Sequence, residues 1–478
     1  TCVGVFETDF TDVGAVVIGD GELDLINNNQ ISSFGIPIIV LRVDATKDIS
    51  LYENRITSII ELLSMSIDDC TSEIEKVVAE YEASILPPFF RALSDYVGDE
   101  NSQFDCPGHQ GGQFFYKHPT GRAFYNFFGE NIFRADLCNA DVKLGDLLIH
   151  EGYAYDAQAH AAKVYNADKT YFVLNGTSSA NKVVLNALLT PGDIILYDRN
   201  NHKSICHGGL VMSGATPIYL ETARNPFGSI GGILDHCFDE SYIRQLVAEK
   251  SPEKANAKRP IRLAVIQLGT YDGTIYNARQ VVDKIGHLCD YIFFDSAWVG
   301  YEQFIPMMKD CSPLLLELGP NDPGILVTQS VHKQQAGFSQ TSQIHKKDSH
   351  IKGQERYVDH KRFNNSFMMH ASTSPFYPLF ASLDVNAKIH EGELGQTLWR
   401  ECVEVAIDAR KAVLKQCKYL RPLVPPIVHG KPWEEGNTQE MACDVKYFAF
   451  EPEAKWHSFN GYGEGQYFID PCKFQLIT

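Results

Sequence analysis

The chain has 478 residues, too many for one compact core, so two or three domains are expected. Its 44% hydrophobic and 21% charged content is that of a folded globular protein and excludes a disordered one. The net charge of −18, with no dense Lys/Arg cluster interleaved with aromatics, argues against a nucleic-acid partner.

No signal peptide and no apolar stretch of membrane-spanning length is read, so no membrane partner is expected. The twelve cysteines are scattered without zinc-like spacing; no metal is expected, and free thiols fit a reducing cytoplasm. Thr1 in place of an initiator Met, and a strand-like pattern running to Thr478, suggest a piece or processed form of a longer chain. Protonating all sixteen histidines would cancel most of the −18 charge, which predicts easier subunit association in mild acid.

Residues 1–84 contain short apolar runs, Gly14 to Ile18 and Pro37 to Leu41, and an amphipathic helical stretch near Ile56 to Leu63. This reads as a small α/β domain without obvious chemical residues. Leu86-Pro87-Pro88 breaks the pattern as a domain joint would, opening a linker over 85–110. The segment C-P-G-H-Q-G-G (106–112) is assigned to a loop near the active centre. From about Thr170 six nearly continuous apolar runs alternate with helix-length segments: 171–174, 194–197, 217–220, 263–266, 291–294 and 325–328. Such runs predict a mostly parallel sheet covered on both faces, within a large domain over 111–384. The basic run from His345 to Arg362, diluted by Asp348, Glu355 and Asp359, is read as a solvated loop. A long helical pattern from Leu398 to Tyr419 then leads into an α+β small domain over 385–478. Trp456-His457 and Gly461-Tyr462-Gly463 are read as a structural aromatic turn.

Reactive residues follow the predicted strands, where open α/β sheets bind ligands. Gly176, Thr177 and Ser178 come after the first run and open a helix suited to a phosphate. His202 follows the second run and is placed to stack a flat ring; Thr270 follows the fourth. Asp295 and Ala297 end the fifth, and Ser330, His332 and Lys333 follow the sixth. Each has a bland reading: a helix cap for the G-T-S-S turn or Asp295, a structural histidine for His202, a surface amine for Lys333. Together, a desolvated lysine for a Schiff base and an acid for a pyridinium nitrogen are the protein half of pyridoxal 5'-phosphate chemistry. His202, Cys206 and His207 lack further ligands for a metal.

These residues resemble the bacterial fold-type-I Orn/Lys/Arg decarboxylases. The likeness rests on C-P-G-H-Q-G-G (106–112), H-P-T-G-R-A-F-Y-N-F-F-G-E-N (118–131), N-G-T-S-S-A-N-K (175–182), D-R-N-N-H-K-S (198–204), T-Y-D-G-T (270–274), F-D-S-A-W (294–298) and S-V-H-K (330–333). Within the family, 331–347 and 461–473 are most similar to the ornithine enzymes. The resemblance implies a flavodoxin-like N-terminal wing domain, a large cofactor-binding domain and a partial α+β C-terminal domain. It implies a homodimer with active sites at the subunit interface, assembled into higher oligomers, in which Ser372 and Thr373 reach the cofactor phosphate of the partner subunit. It further implies L-ornithine as substrate and putrescine as product. Lys333 would carry the Schiff base, Asp295 would face the ring nitrogen and His202 would stack on the ring. Gly176, Thr177, Ser178, Ser330 and His332 would hold the phosphate, with Lys333 or His332 returning a proton at Cα. A sister enzyme acting on lysine or arginine, and a non-catalytic assembly or regulatory subunit, remain alternatives at this point.

Overall fold

A computed structural model describes residues 9–478 apart from 28, 45, 100, 140 and 142. The chain divides into two compact units, one reaching to Pro87 and including Glu391–Leu394, the other comprising Pro88–His390 and Gly395–Thr478.

In the first unit, β1 (Val16–Gly19), β2 (Ile38–Arg42) and β3 (Ser58–Glu61) form a parallel sheet with β2 central. The stretch expected to be helical near Ile56 to Leu63 is therefore the strand β3. Its β-branched residues fit a pleated surface, and Ile60 is buried while Ile59 faces out. The helix comes later, as α1 (Ile67–Ile85), where the Ser66 hydroxyl caps the Asp69 N–H and two acids occupy the first turn.

The second unit opens with α2 (Pro88–Gly98), whose first turn is capped from far along the chain. One Asp384 oxygen accepts from the Phe89 and Phe90 N–H groups at 2.8 and 3.0 Å. Its seven-stranded sheet uses β4 (Lys169–Val173), β5 (Ile194–Asp198), β6 (Thr216–Leu220), β7 (Ile261–Gln267), β8 (Cys289–Ser296), β9 (Gly324–Gln329) and β10 (Ser342–Lys347). Their order is β4-β10-β9-β8-β7-β5-β6, and only β10 runs against its neighbours. All six expected runs are strands of this mostly parallel sheet. Successive residues enter opposite cores: Phe294, Ile292 and Val327 on one face, Phe293, Val265 and Leu326 on the other. Double coverage explains why the runs lack the apolar/polar alternation of a half-exposed strand.

The seventh strand was hidden. β10 contains His345 and Lys346 from the run read as a solvated loop, yet both are buried. Lys346 Nζ pairs with the buried Asp348 carboxylate, which also accepts from Tyr291 Oη at 2.9 Å. His345 Nδ1 lies 2.8 Å from Thr170 Oγ1. Strand pairing and local ion pairing satisfy groups whose composition signals solvent.

Further on, the expected long helix spans Gly392–Gln416, and Tyr467–Ile469 pairs antiparallel with Thr274–Tyr276. That pairing brings the 461–473 segment beside the loop after β7. Phe450, Trp456, His457, Phe459 and Tyr462 pack ring against ring, the structural cluster expected there. No helix among the described residues is long and apolar enough to cross a membrane.

Candidate active site

The loops after β4, β5, β8 and β9 converge on one cavity of roughly 610 Å³ at the carboxyl ends of the strands. Gly176, Thr177, Ser178, His202, Asp295, Ala297, Ser330, His332 and Lys333 all line it, as the strand-end positions predict.

Asp295 lies at the end of β8, opposite Thr328 of β9, and is almost wholly buried. Burial pushes its carboxyl above the ordinary carboxylate range, against hydrogen bonds that favour the charged form. One oxygen accepts from Asn181 Nδ2 at 2.9 Å and the other from the Ala297 N–H at 3.1 Å. Asn181 falls within the 175–182 motif, but the sequence assigns it no role. It lies on α3 (Gly176–Leu188), one turn after Thr177 on the same helix face, and that spacing is the signal that could have found it. Its amide also donates to Ser204 Oγ at 3.0 Å and accepts from Thr328 Oγ1 at 2.8 Å. Ser204 Oγ in turn lies 2.8 Å from His202 Nδ1, which accepts the Ser204 N–H. A neutral His202 therefore carries its proton on Nε2.

Lys333 sits in the single turn Val331–Gln334 that follows β9. Its Nζ lies 3.9 Å from the centroid of the Trp298 ring, a second motif residue to which the sequence assigns no role. Burial lowers the pKa of this amine, partly offset by the Asp295 charge.

The first turn of α3 has no side-chain cap, because Asn175 makes no capping bond, and Gly176 adopts φ +73°. The Gly176 N–H donates to the Gln340 carbonyl at 2.8 Å, and the N–H groups that follow it in the turn suit an anion. The Thr177 hydroxyl is engaged inside the protein, 2.6 Å from Ser330 Oγ and 2.8 Å from Ser342 Oγ. His332 Nδ1 donates to the Thr341 carbonyl at 2.7 Å, which leaves Nε2 of the neutral ring as an acceptor.

Other expected site residues lie elsewhere. Thr270 is buried and does not line the cavity; its hydroxyl accepts the Thr274 N–H and so closes a turn. Ser372 and Thr373 are exposed and outside the Lys333 cavity; Ser372 borders a separate apolar cavity with Leu148 and Phe376. The 106–112 loop does not reach the Lys333 cavity of its own chain either. It lines another one with Tyr96, Gln103 and Arg134, held by the 3.0 Å pair of His109 with Asp136.

Residues 87–478 match the family described as Orn/Lys/Arg decarboxylase, major domain. The chain belongs to that family. It is 64% identical over 477 residues to the ornithine decarboxylase of Haemophilus influenzae, which covers all of this chain and 66% of that protein. It is 63% identical to the inducible ornithine decarboxylase of Escherichia coli, covering all of this chain and 65% of that protein. The chain thus spans just under two thirds of these relatives. Among solved structures, lysine decarboxylase A from Pseudomonas aeruginosa superposes with a TM-score of 0.86 at 32% identity, over 98% of this chain and 63% of that one. The α/β architecture with its mostly parallel sheet is the fold-type-I arrangement expected from the sequence.

Proposed function

We propose that this chain decarboxylates L-ornithine to putrescine and CO₂ with pyridoxal 5'-phosphate held at Lys333. The observation that carries the reading is one cavity that presents a half-buried amine and a buried carboxylate from the ends of adjacent strands β9 and β8. The residues fit the cofactor. The volume suits a ligand of its size, the uncapped turn of α3 suits its phosphate, and Asp295 stays raised by burial despite the nearby His202 and Lys333, so a further cation such as a protonated ring nitrogen would stabilise its charge. When bound, pyridoxal phosphate supplies an aldehyde and a ring that accepts the electrons released with CO₂.

The chain's own residues would do the rest. Desolvation favours the neutral Lys333 amine, the form able to attack a carbonyl. Asp295, with Asn181 and the Ala297 N–H on its oxygens, would hold a proton at the ring nitrogen. His202, fixed by Ser204, would limit the tilt of the ring. With Nδ1 of His332 committed to a carbonyl, Lys333 as an ammonium is the better source of the proton returned to Cα. The hydroxyl of Thr177 would act indirectly, by fixing α3 to Ser330 and Ser342, while backbone N–H groups meet the phosphate.

Ornithine is favoured over lysine because the ornithine relatives are about twice as similar as the lysine enzyme of known structure. Release of CO₂ from ornithine, lysine and arginine tests this. Turnover of ornithine at least about tenfold above the others is expected. Preference for lysine or arginine would overturn the substrate, and no turnover of any would favour an assembly subunit.

The same reading includes a homodimer with interface active sites, joined into a larger oligomer. The exposed Ser372 and Thr373, outside their own chain's cavity, support it. It also includes a cytoplasmic location and three domains, with a wing to about residue 84 and a small domain from about 385. Sedimentation, cell fractionation and limited proteolysis test these parts in turn.

A further inference from the structure

The indole of Trp298 is shared by two amines. Lys333 Nζ lies 3.9 Å from its centroid and Lys473 Nζ 5.3 Å from it, so the amines are separated by no more than the sum of those distances. Lys473 is no loose surface chain: its side chain is largely buried, 3.7 Å from the Asp470 carboxylate and 3.2 Å from the Thr270 carbonyl that accepts from it. The anchor itself is rigid. The other contacts of Asp470 are Tyr301 Oη at 2.6 Å and the Cys472 and Lys473 N–H groups, while Arg410 binds the carbonyls of Asp470, Pro471 and Lys473. Tyr271 closes on Trp298 edge-to-face at 5.0 Å.

We propose that Lys473 is a positioning residue for Lys333: held by Asp470 and the Thr270 carbonyl, it fixes Trp298 and presents a second cation to the reactive amine. This rests on the reading of Lys333 as that amine. It gives Thr270, which does not line the cavity, a place in the site through its carbonyl. It also explains why the distant 461–473 segment docks beside the loop after β7.

A nearby cation makes it harder for an amine to take up a proton, as a second cationic group does for other Schiff-base lysines. The charged groups acting on Lys333 are Asp295, which opposes this, and Lys473, which contributes to it; His202 lies within the field of both Asp295 and Lys333. Lys473 itself faces Asp470, Asp272 and Cys472.

The test is the pH dependence of acetic anhydride labelling at Lys333, read by mass spectrometry in the full chain without added cofactor. Lys473→Met should move the labelling midpoint to higher pH by about one unit, since both the lost cation and the unpaired Asp470 favour the charged amine. Lys473→Arg, which keeps the charge, should leave it within a few tenths of a unit of wild type. If Lys473→Met does not fold, Lys473→Gln is read the same way. An unmoved midpoint in the neutral variant, or an equal shift in Lys473→Arg, would overturn the proposal. Because labelling needs no cofactor, its outcome is independent of whether Lys333→Ala loses the cofactor spectrum, the test of the underlying reading.

Discussion

Asp295 sits where burial alone favours its protonated form, so its usefulness as a counter-ion depends on what touches it. Asn181 supplies one donor and is itself held by Ser204 and Thr328, which makes it the hub joining Asp295 to His202. Asp295→Asn should retain cofactor binding and lower kcat by a hundredfold or more, roughly 3 kcal/mol, because a neutral amide cannot hold the ring-nitrogen proton. Asn181→Ala should cost about tenfold in kcat, the worth of one hydrogen bond to a charged group. Steady-state kinetics of both variants check the order, and wild-type kcat in Asp295→Asn would remove Asp295 from its role. That Lys333 and Asp295 would line one cavity was legible, because their position after an apolar run carries the signal. Asn181, Trp298 and Lys473 were not, since each acts through a partner more than a hundred positions away or lies within a motif without a chemical signature of its own.

Among the elements, the six apolar strands were legible and β10 was not. A doubly covered strand must look apolar only where no buried partner satisfies its polar groups, and Asp348, Tyr291 and Thr170 do that for β10. β3 failed for the opposite reason: its two neighbouring isoleucines suit a helix stripe and a pleat alike. The cap on α2 was invisible because Asp384 lies 295 positions from Phe89. Burial raises the Asp384 carboxyl to about 6, outweighing the two N–H groups it accepts. Between the ordinary carboxylate range and that value the native protein holds a proton that the unfolded chain has lost. Stability contributed by this group is therefore present at low pH and falls as pH rises toward about 6. Asp384→Asn, which keeps an acceptor for the helix, should gain stability relative to wild type as pH goes from about 4 to 7. Urea midpoints at the two pH values measure it; a gain that shrinks with rising pH would contradict the assignment.

Across the whole chain, burial takes part of the histidine charge out of play. Of the sixteen histidines, seven (His150, His202, His345, His360, His370, His390 and His457) are held below their ordinary pKa by burial, His150 at about 4 and His345 at about 3. Mild acid therefore removes less of the −18 charge than the count of histidines suggests. Larger particles at about pH 5.5 than at about pH 8 are still expected in sedimentation, because partial neutralisation weakens self-repulsion. Equal or smaller particles at the lower pH would rule this out. Everything proposed here turns on one amine at the mouth of the sheet, Lys333, binding the cofactor. Its most direct test is the visible absorbance of the purified chain incubated with pyridoxal phosphate, before and after ornithine, for wild type and Lys333→Ala. Wild type should show a protein-bound band that changes on adding ornithine as putrescine accumulates, and Lys333→Ala should show neither. The same band in Lys333→Ala would contradict the account.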